Sequence, residues 1–426
     1  MTRVVVVGAG FAGFNAARTL NRRLRGSAEV VLVNPTDYFL YVPLLPEVMA
    51  GILDPRRIAV PLASTLPEVR LAVGTVHDID HPARTVSYRD PDGRDQHLDY
   101  DHLLVTCGSV NKLLPIPGVG EHAHGFRNLA EAVYLRDHLV RQVELADGTD
   151  DEDERTARLT FVVVGAGYTG TEVAAQGVLA TRATLRKHPR LRGRMARWLL
   201  LDTAGRVLPG LRERLSQTAS RTLAERGVEV MTGTSVREAT ADGVLLSDGS
   251  MVPTRSLIWC VGVRPDPLVE TLGLPTDRGR LIVEPDLSVP GQPGMWACGD
   301  AAAVPDLTEP GQITAMTAQH AQRQGKTAGR NIAAALGHGK PRAYKHRNLG
   351  FVVDLGGYDG AADPLGVPLG GFPAKVVTRG YHLSVMPGNR TRTAVDWTEH
   401  AVLGSELQRL DLVHPDQVPL ETRPPS

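Results

Sequence analysis

Two glycine triplets carry the clearest chemical signal in the chain. Gly8, Gly10 and Gly13 follow Arg3-Val-Val-Val-Val7, and Gly165, Gly167 and Gly170 follow Phe161-Val-Val-Val164. Both keep G-x-G-x-x-G spacing behind an apolar strand. The first glycine permits a tight turn, the second lets a phosphate approach the backbone, and the third lets the next helix pack against the strand. A pyrophosphate then sits on the helix N-terminus, where unpaired N–H groups and the helix dipole favour an anion. Two copies predict two dinucleotides. In the second copy, the strand Trp198–Asp202 ends in a carboxylate placed to accept ribose hydroxyls and to repel a 2′-phosphate. The first copy ends in Asn34, which can still hydrogen-bond a diol but carries no charge. Arg206 lies four residues beyond Asp202 and offers a phosphate contact instead.

The elements that must hold these loops are readable from the pattern. Residues 3–8 predict a first strand, 11–24 a helix and 29–34 a second strand. An apolar, proline-punctuated segment follows from Asp37 to Leu62, opening Asp-Tyr-Phe-Leu-Tyr-Val-Pro-Leu-Leu-Pro. It reads either as ordinary packing or as a wall beside a ring-shaped ligand. Alternating stretches over 70–105 predict hairpins, with Pro91-Asp-Gly93 as a turn. Residues 144–158 form an acidic linker, expected as a solvated loop. The second unit is expected as a strand at 159–165, a helix at 169–179 and a strand at 198–202, closed by a strand over 256–265. A buried strand then delivers Cys298-Gly299-Asp300, and a helix is expected over 313–336. Beyond 341 come glycine-rich hairpin material, two amphipathic stretches and a polar tail, Glu421–Ser426, expected to be disordered.

Global properties remove several classes. The 426 residues suffice for about three domains, and 47 basic residues balance 47 acidic ones, so net charge gives no case for nucleic acid. A charged leader before a long apolar core is absent, so a cleaved signal peptide is not expected. No window approaches the ~20 apolar residues that span a bilayer. Cys107, Cys260 and Cys298 are far apart and form no close pair, so neither a metal site nor a local redox disulfide is indicated. A cytoplasmic protein is expected.

The order of motifs is itself informative: glycine loop, Val105-Thr106-Cys-Gly108, second glycine loop, Cys260-Val-Gly262, then Ala297-Cys-Gly299-Asp300. It resembles the two-dinucleotide-binding-domain flavoproteins of the pyridine nucleotide oxidoreductase superfamily, over residues 3–335. The closer resemblance is to type II NADH:quinone oxidoreductases. It rests on Tyr41-Val-Pro-Leu-Leu45, on Gly165-Ala-Gly-Tyr-Thr-Gly-Thr-Glu172, and on Ala318-Gln-His-Ala-Gln-Arg323. The chain departs from the last motif at Arg323, where the family has a second glutamine, and its C-terminal stretches are less apolar.

The resemblance implies an α/β fold with two Rossmann-like domains. An FAD domain (1–115 and 281–340) is split by an inserted NADH domain (116–280), and a smaller α+β region (341–426) follows. FAD would be held by Gly8, Gly10, Gly13, Asn34, Pro43, Leu44, Thr106, Gly108, Gly299, Asp300 and Ala318. NADH would be held by Gly165, Gly167, Gly170, Asp202 and Gly262.

Nicotinamide gives up hydride and flavin N5 accepts it with no acid–base residue in the path, so the protein mainly stacks rings and excludes water. Reduced flavin then needs an acceptor, expected to be a quinone. Gln319 is the candidate for its carbonyl, beside a wall from Pro43 to Leu45. Glu172 is the candidate for positioning nicotinamide or relaying protons, against a structural role at a helix start. A protein acceptor such as a ferredoxin, or a low-turnover NADH sensor, are the alternatives. Lys375, Arg379, Arg390 and Arg392 make the C-terminal region basic and amphipathic. It is suited to the cytoplasmic membrane surface, a homodimer interface or a domain cover.

Overall fold

The computed structural model describes residues 1–405 and 407–420, so the tail expected to be disordered lies outside the described residues. Two five-stranded parallel sheets organise it. The first runs, in spatial order, Met295–Ala297, His102–Val105, Arg3–Val7, Glu29–Asn34 and Arg70–Val73. The second runs Ala123–Gly125, Ser256–Trp259, Thr160–Val164, Arg197–Asp202 and Val228–Thr232. Val4, Val5, Val6, Phe161, Val162 and Val163 are wholly buried, as expected for strands covered on both faces. Each parallel sheet is accompanied by a three-stranded antiparallel meander, Thr75–Asp99 for the first and Val236–Pro253 for the second.

The chain passes from the first unit to the second and back. The edge strand of the first sheet, Met295–Ala297, comes after the whole second unit, whose own edge strand is its first, Ala123–Gly125. The strand expected over 256–265 is broken at Gly262, where φ is +94°. Its outer half, Val263–Pro265, pairs antiparallel with Ser109–Asn111 and stitches the two units together.

The acidic stretch 144–158 is not a solvated loop. Its start completes the helix Leu129–Gly148, and Glu152–Arg158 is a helix of its own. Asp151 caps that helix by accepting from the Asp153 and Glu154 N–H groups, and three acids occupy the first turn, where the dipole favours them. Glu154 pairs with Arg158 and Arg255, so these charges are largely satisfied rather than repelling.

The first glycine helix, Phe11–Leu24, packs lengthwise on Ala318–Ala335. The second begins later than the 313 expected, because Thr317 caps it by accepting the His320 N–H. Backbones touch at the crossing: a Cβ on Gly325 would lie 2.0 Å from the Ala12 carbonyl oxygen. Beyond 341 the chain forms a three-stranded antiparallel sheet (Val352–Asp354, Gly360–Ala362, Leu369–Gly370) and two helices, Gly371–Val385 and Arg390–Leu403. Gly325→Ala should force the two helices apart and destabilise the protein by about 2–3 kcal/mol. Calorimetry would show this as a lowered first transition, and an unchanged Tm would mean that the contact yields freely.

Candidate functional site

Both glycine loops have the same geometry, atom for atom. Gly8 and Gly165 take φ of +94° and +102°, and a Cβ on Gly13 or on Gly170 would lie 1.8 Å from the carbonyl oxygen of Gly8 or Gly165. These positions exclude any side chain. Gly10 and Gly167 differ: a Cβ there meets nothing within 4 Å, so both face open space at the N-cap of the following helix. Two cradles closed to protein atoms and open at the helix N-terminus fit two pyrophosphates.

The strand-end residues Asn34 and Asp202 also match. Asn34 Oδ1 accepts the Ala9 N–H at 2.8 Å, and Asp202 Oδ2 accepts the Ala166 N–H at 2.6 Å. Asp202 Oδ1 accepts from Ala204, whereas the Asn34 amide donates to the Thr36 carbonyl and hydroxyl. Arg206 donates to the carbonyls of Pro209 and Leu211 in its own loop. Thr106 supports the first loop from beneath, its hydroxyl donating to the carbonyls of Val7 and Gly8. Gly108 and Gly262 form left-handed turns at φ +81° and +94° on either side of the stitch between the units.

Asp300 follows Gly299 and accepts the Ser109 hydroxyl at 2.7 Å. The turn itself is held by Gln324, which is fully buried. It accepts the Gly299 N–H at 2.8 Å and donates to the Thr314 hydroxyl at 2.9 Å. Gln324 was not among the residues the sequence pointed to. Its hint was a glutamine on the buried stripe of an otherwise alanine- and glycine-rich helix. Ala318 is the first residue of that helix. Near residue 43, Val42–Leu44 is a 3-10 turn running into the helix Leu45–Met49, which turns Leu44 and Leu45 into the core and leaves Val42 exposed and Pro43 partly so.

Gln319 and Glu172, far apart in sequence, hold the two ends of one segment. Gln319 Nε2 donates to the Gly350 carbonyl at 2.7 Å, and Glu172 Oε1 accepts the Asp354 N–H at 2.9 Å. Between them, Phe351 lies with its ring 5.8 Å from Tyr168 of the second glycine helix. Burial, with Asp354 and Glu47 nearby, pushes the Glu172 carboxyl well above its ordinary range.

Behind this segment lies a charge cluster that the sequence did not reveal. Lys375 is 2 % exposed, so it does not belong to a basic surface; its Nζ donates to both oxygens of Asp354, at 2.7 and 2.5 Å. Glu47 Oε1 lies 3.9 Å away, and Glu47 Oε2 accepts from the Trp397 indole. Arg379 likewise packs on the Trp397 ring, 4.9 Å from its centroid. Beside them Tyr41 hydrogen-bonds His382 at 3.0 Å. The cysteines are free, as expected, and burial raises each thiol. No group of three or more metal-ligating side chains occurs among the described residues.

Two like cradles joined by a short antiparallel strand pair define a pyridine nucleotide oxidoreductase with tandem dinucleotide sites. Residues 2–325 match the pyridine nucleotide-disulphide oxidoreductase family. Across 414 residues the chain is 31% identical to a type II NADH:quinone oxidoreductase of Mycobacterium tuberculosis, covering 93% of this chain and 87% of that protein. It is 30% identical to a demethylphylloquinone reductase of Synechocystis, covering 88% and 90%. The fold superposes on NDH2 of Plasmodium falciparum, solved in complex with NADH, with a TM-score of 0.86 at 16% identity, covering 96% and 99%. The chain belongs to the type II NADH:quinone oxidoreductases within that family.

The two cradles predict an asymmetric mutant. A Cβ at Gly167 meets no protein atom within 4 Å, so Gly167→Val should fold, retain FAD and lose reduction by NADH; loss of FAD instead would reverse the assignment of the cradles. The buried cluster predicts a pH signature. Burial beside Asp354 raises Glu47 from 4.5 to about 7. A raised acid contributes stability fully below its unfolded pKa and loses it as pH rises through the folded one. His382 and His320, lowered to about 4 chiefly by burial, act on the acid side. Glu47→Gln should therefore flatten the fall in Tm between about pH 5 and pH 8 and leave the acid limb in place. An unaltered alkaline limb would rule out Glu47 as its source.

Proposed function

We propose that this chain is an FAD-dependent NADH dehydrogenase that reduces quinone without pumping ions. The observation that carries it is the pair of equivalent cradles, each open only at its second glycine. In this reading residues 1–115 and 281–340 form the FAD domain and 116–280 the NADH domain. FAD lies on Gly8, Gly10 and Gly13, with Thr106 beneath the loop and Asn34 at the strand end. Gly108, Gly299, Asp300 and Ala318 lie along the rest of FAD, and Pro43 and Leu44 support its ring end. NADH lies on Gly165, Gly167 and Gly170, with Asp202 at its ribose and Gly262 opposite. The Asp202 carboxylate and the engagement of Arg206 in its own loop favour NADH over NADPH.

When bound, flavin supplies the hydride chemistry and passes two electrons onward. The residues of the chain do the rest. The glycine turns fix both dinucleotides, and Gln319 presents its amide to the acceptor carbonyl. Glu172 holds a proton at its carboxyl, near the segment that Gln319 also grips. The balance NADH + H⁺ + quinone → NAD⁺ + quinol requires one such proton. No helix among the described residues is long and apolar enough to cross a membrane. The C-terminal helices expose Phe372, Val376, Val395, Val402 and Leu403, which supports attachment to the cytoplasmic face of a membrane, or to a second copy.

Anaerobic stopped-flow with the holoenzyme tests this. NADH should bleach the flavin, and a soluble quinone should restore it rapidly. Reoxidation by quinone no faster than by oxygen would remove the quinone assignment. Gln319→Leu should slow the second phase about 10- to 100-fold and leave the first unchanged.

A further inference from the structure

Three basic side chains are buried among the described residues, Arg155, Arg280 and Lys375. Arg155 pairs with Glu152 and Lys375 with Asp354, as a charge withdrawn from water requires. Arg280, 4 % exposed, forms no ion pair with any described residue. Its Nη1 donates to the Thr314 carbonyl at 2.7 Å, and its Nε, also buried, has no partner. Burial lowers its pKa, and Asp300 followed by Asp277 oppose that from beyond ion-pair distance. Strand pairing puts it there. Arg280–Ile282 runs parallel to Ala302–Ala303, the strand that leaves the Gly299–Asp300 turn. Thr314 is tied to the same turn, since its hydroxyl accepts from Gln324, which in turn accepts the Gly299 N–H.

A buried guanidinium beside this turn, with no carboxylate of its own, fits a cofactor that is negatively charged and rich in oxygen acceptors. We infer that Arg280 is a binding residue for FAD, and that its positive charge stands at the isoalloxazine end and favours the reduced form. The neighbours select the ring end. The Thr314 carbonyl that Arg280 holds lies four residues before Ala318, where the helix that carries Gln319 begins. The field of Arg280 reaches that helix, because His320 is lowered chiefly by burial and Arg280 adds to the effect. The diphosphate belongs to the other end, at the open Gly10. Reduction by two electrons and one proton leaves the flavin one charge more negative. A fixed cation therefore holds the reduced ring more tightly than the oxidised one. The inference rests on FAD occupying the first cradle.

The test compares the wild-type holoenzyme with R280M, similar in length and uncharged, and with R280K, which keeps the charge. FAD affinity is read from equilibrium dilution of the holoenzyme, following the fluorescence of released cofactor. The flavin midpoint potential is read by equilibration with a reference dye, and NADH binding by titration. In R280M oxidised FAD should be held about tenfold more weakly, and reduced FAD about 100-fold more weakly. The tenfold difference between them lowers the two-electron midpoint by about 30 mV. R280K should keep the ratio of the two affinities within about threefold of the wild type. Should R280M not fold, R280Q removes the same charge and is expected to give the same shift. A purely structural arginine would loosen the cofactor without moving its potential. An unchanged midpoint in a folded neutral variant, or an equal fall in R280K, would therefore overturn the proposal. Unaltered FAD affinity and midpoint with weakened NADH binding would show a different failure, that of the cradle assignment itself.

Discussion

The structure depends on an absence of atoms at two equivalent points. At Gly13 and Gly170 the carbonyl oxygen of the loop occupies the space a side chain would need, 1.8 Å from any Cβ. This lets each glycine helix start directly over its strand, so that its free N–H groups converge on one point. The same economy of volume recurs where Gly325 meets Ala12, bringing the Ala318–Ala335 helix against the first cradle. That helix carries Gln324 to the Gly299 turn and Gln319 to the Gly350 carbonyl. Small residues at these contacts therefore fix the relative positions of both ends of the candidate FAD site.

What the cradles alone do not fix is the orientation of one unit to the other. A two-stranded ribbon supplies part of it, Ser109–Asn111 pairing with Val263–Pro265. The C-terminal region supplies the rest by gripping both units. Arg212 pairs with Asp363 and Arg226 with Asp359 on the side of the second sheet, and Arg57 pairs with Asp396 on the side of the first. These pairs keep access to water on at least one side, so each contributes modestly and it is their placement on both units that matters. The region 341–426 thus contributes to the geometry of the site as well as to any surface it offers.

Legibility in the sequence followed the range of the interactions. The loops, the strands and the helix Phe11–Leu24 depend on neighbours within a few residues, and spacing revealed them. The acidic stretch was misread because its stability comes from a cap at Asp151 and from Arg255, a hundred residues on. Lys375 was grouped with surface bases because its partners, Asp354 and Glu47, are 21 and more than 300 residues away.

The buried cluster shows how a single cation sets the protonation of its surroundings. Lys375 touches Asp354 at 2.5 Å and Glu47 only at 3.9 Å, so Asp354 receives most of its field and is held below the usual carboxylate range despite burial. With Asp354 ionised, a second buried charge on Glu47 or Glu172 would face a like charge in a medium of low dielectric constant, and both carboxyls are raised instead. The lysine thus holds one carboxyl down, while burial and then the Asp354 charge hold the other two up. Asp354 is also the residue whose N–H binds Glu172; that hydrogen bond favours the ionised carboxyl, and burial together with the Asp354 charge outweighs it.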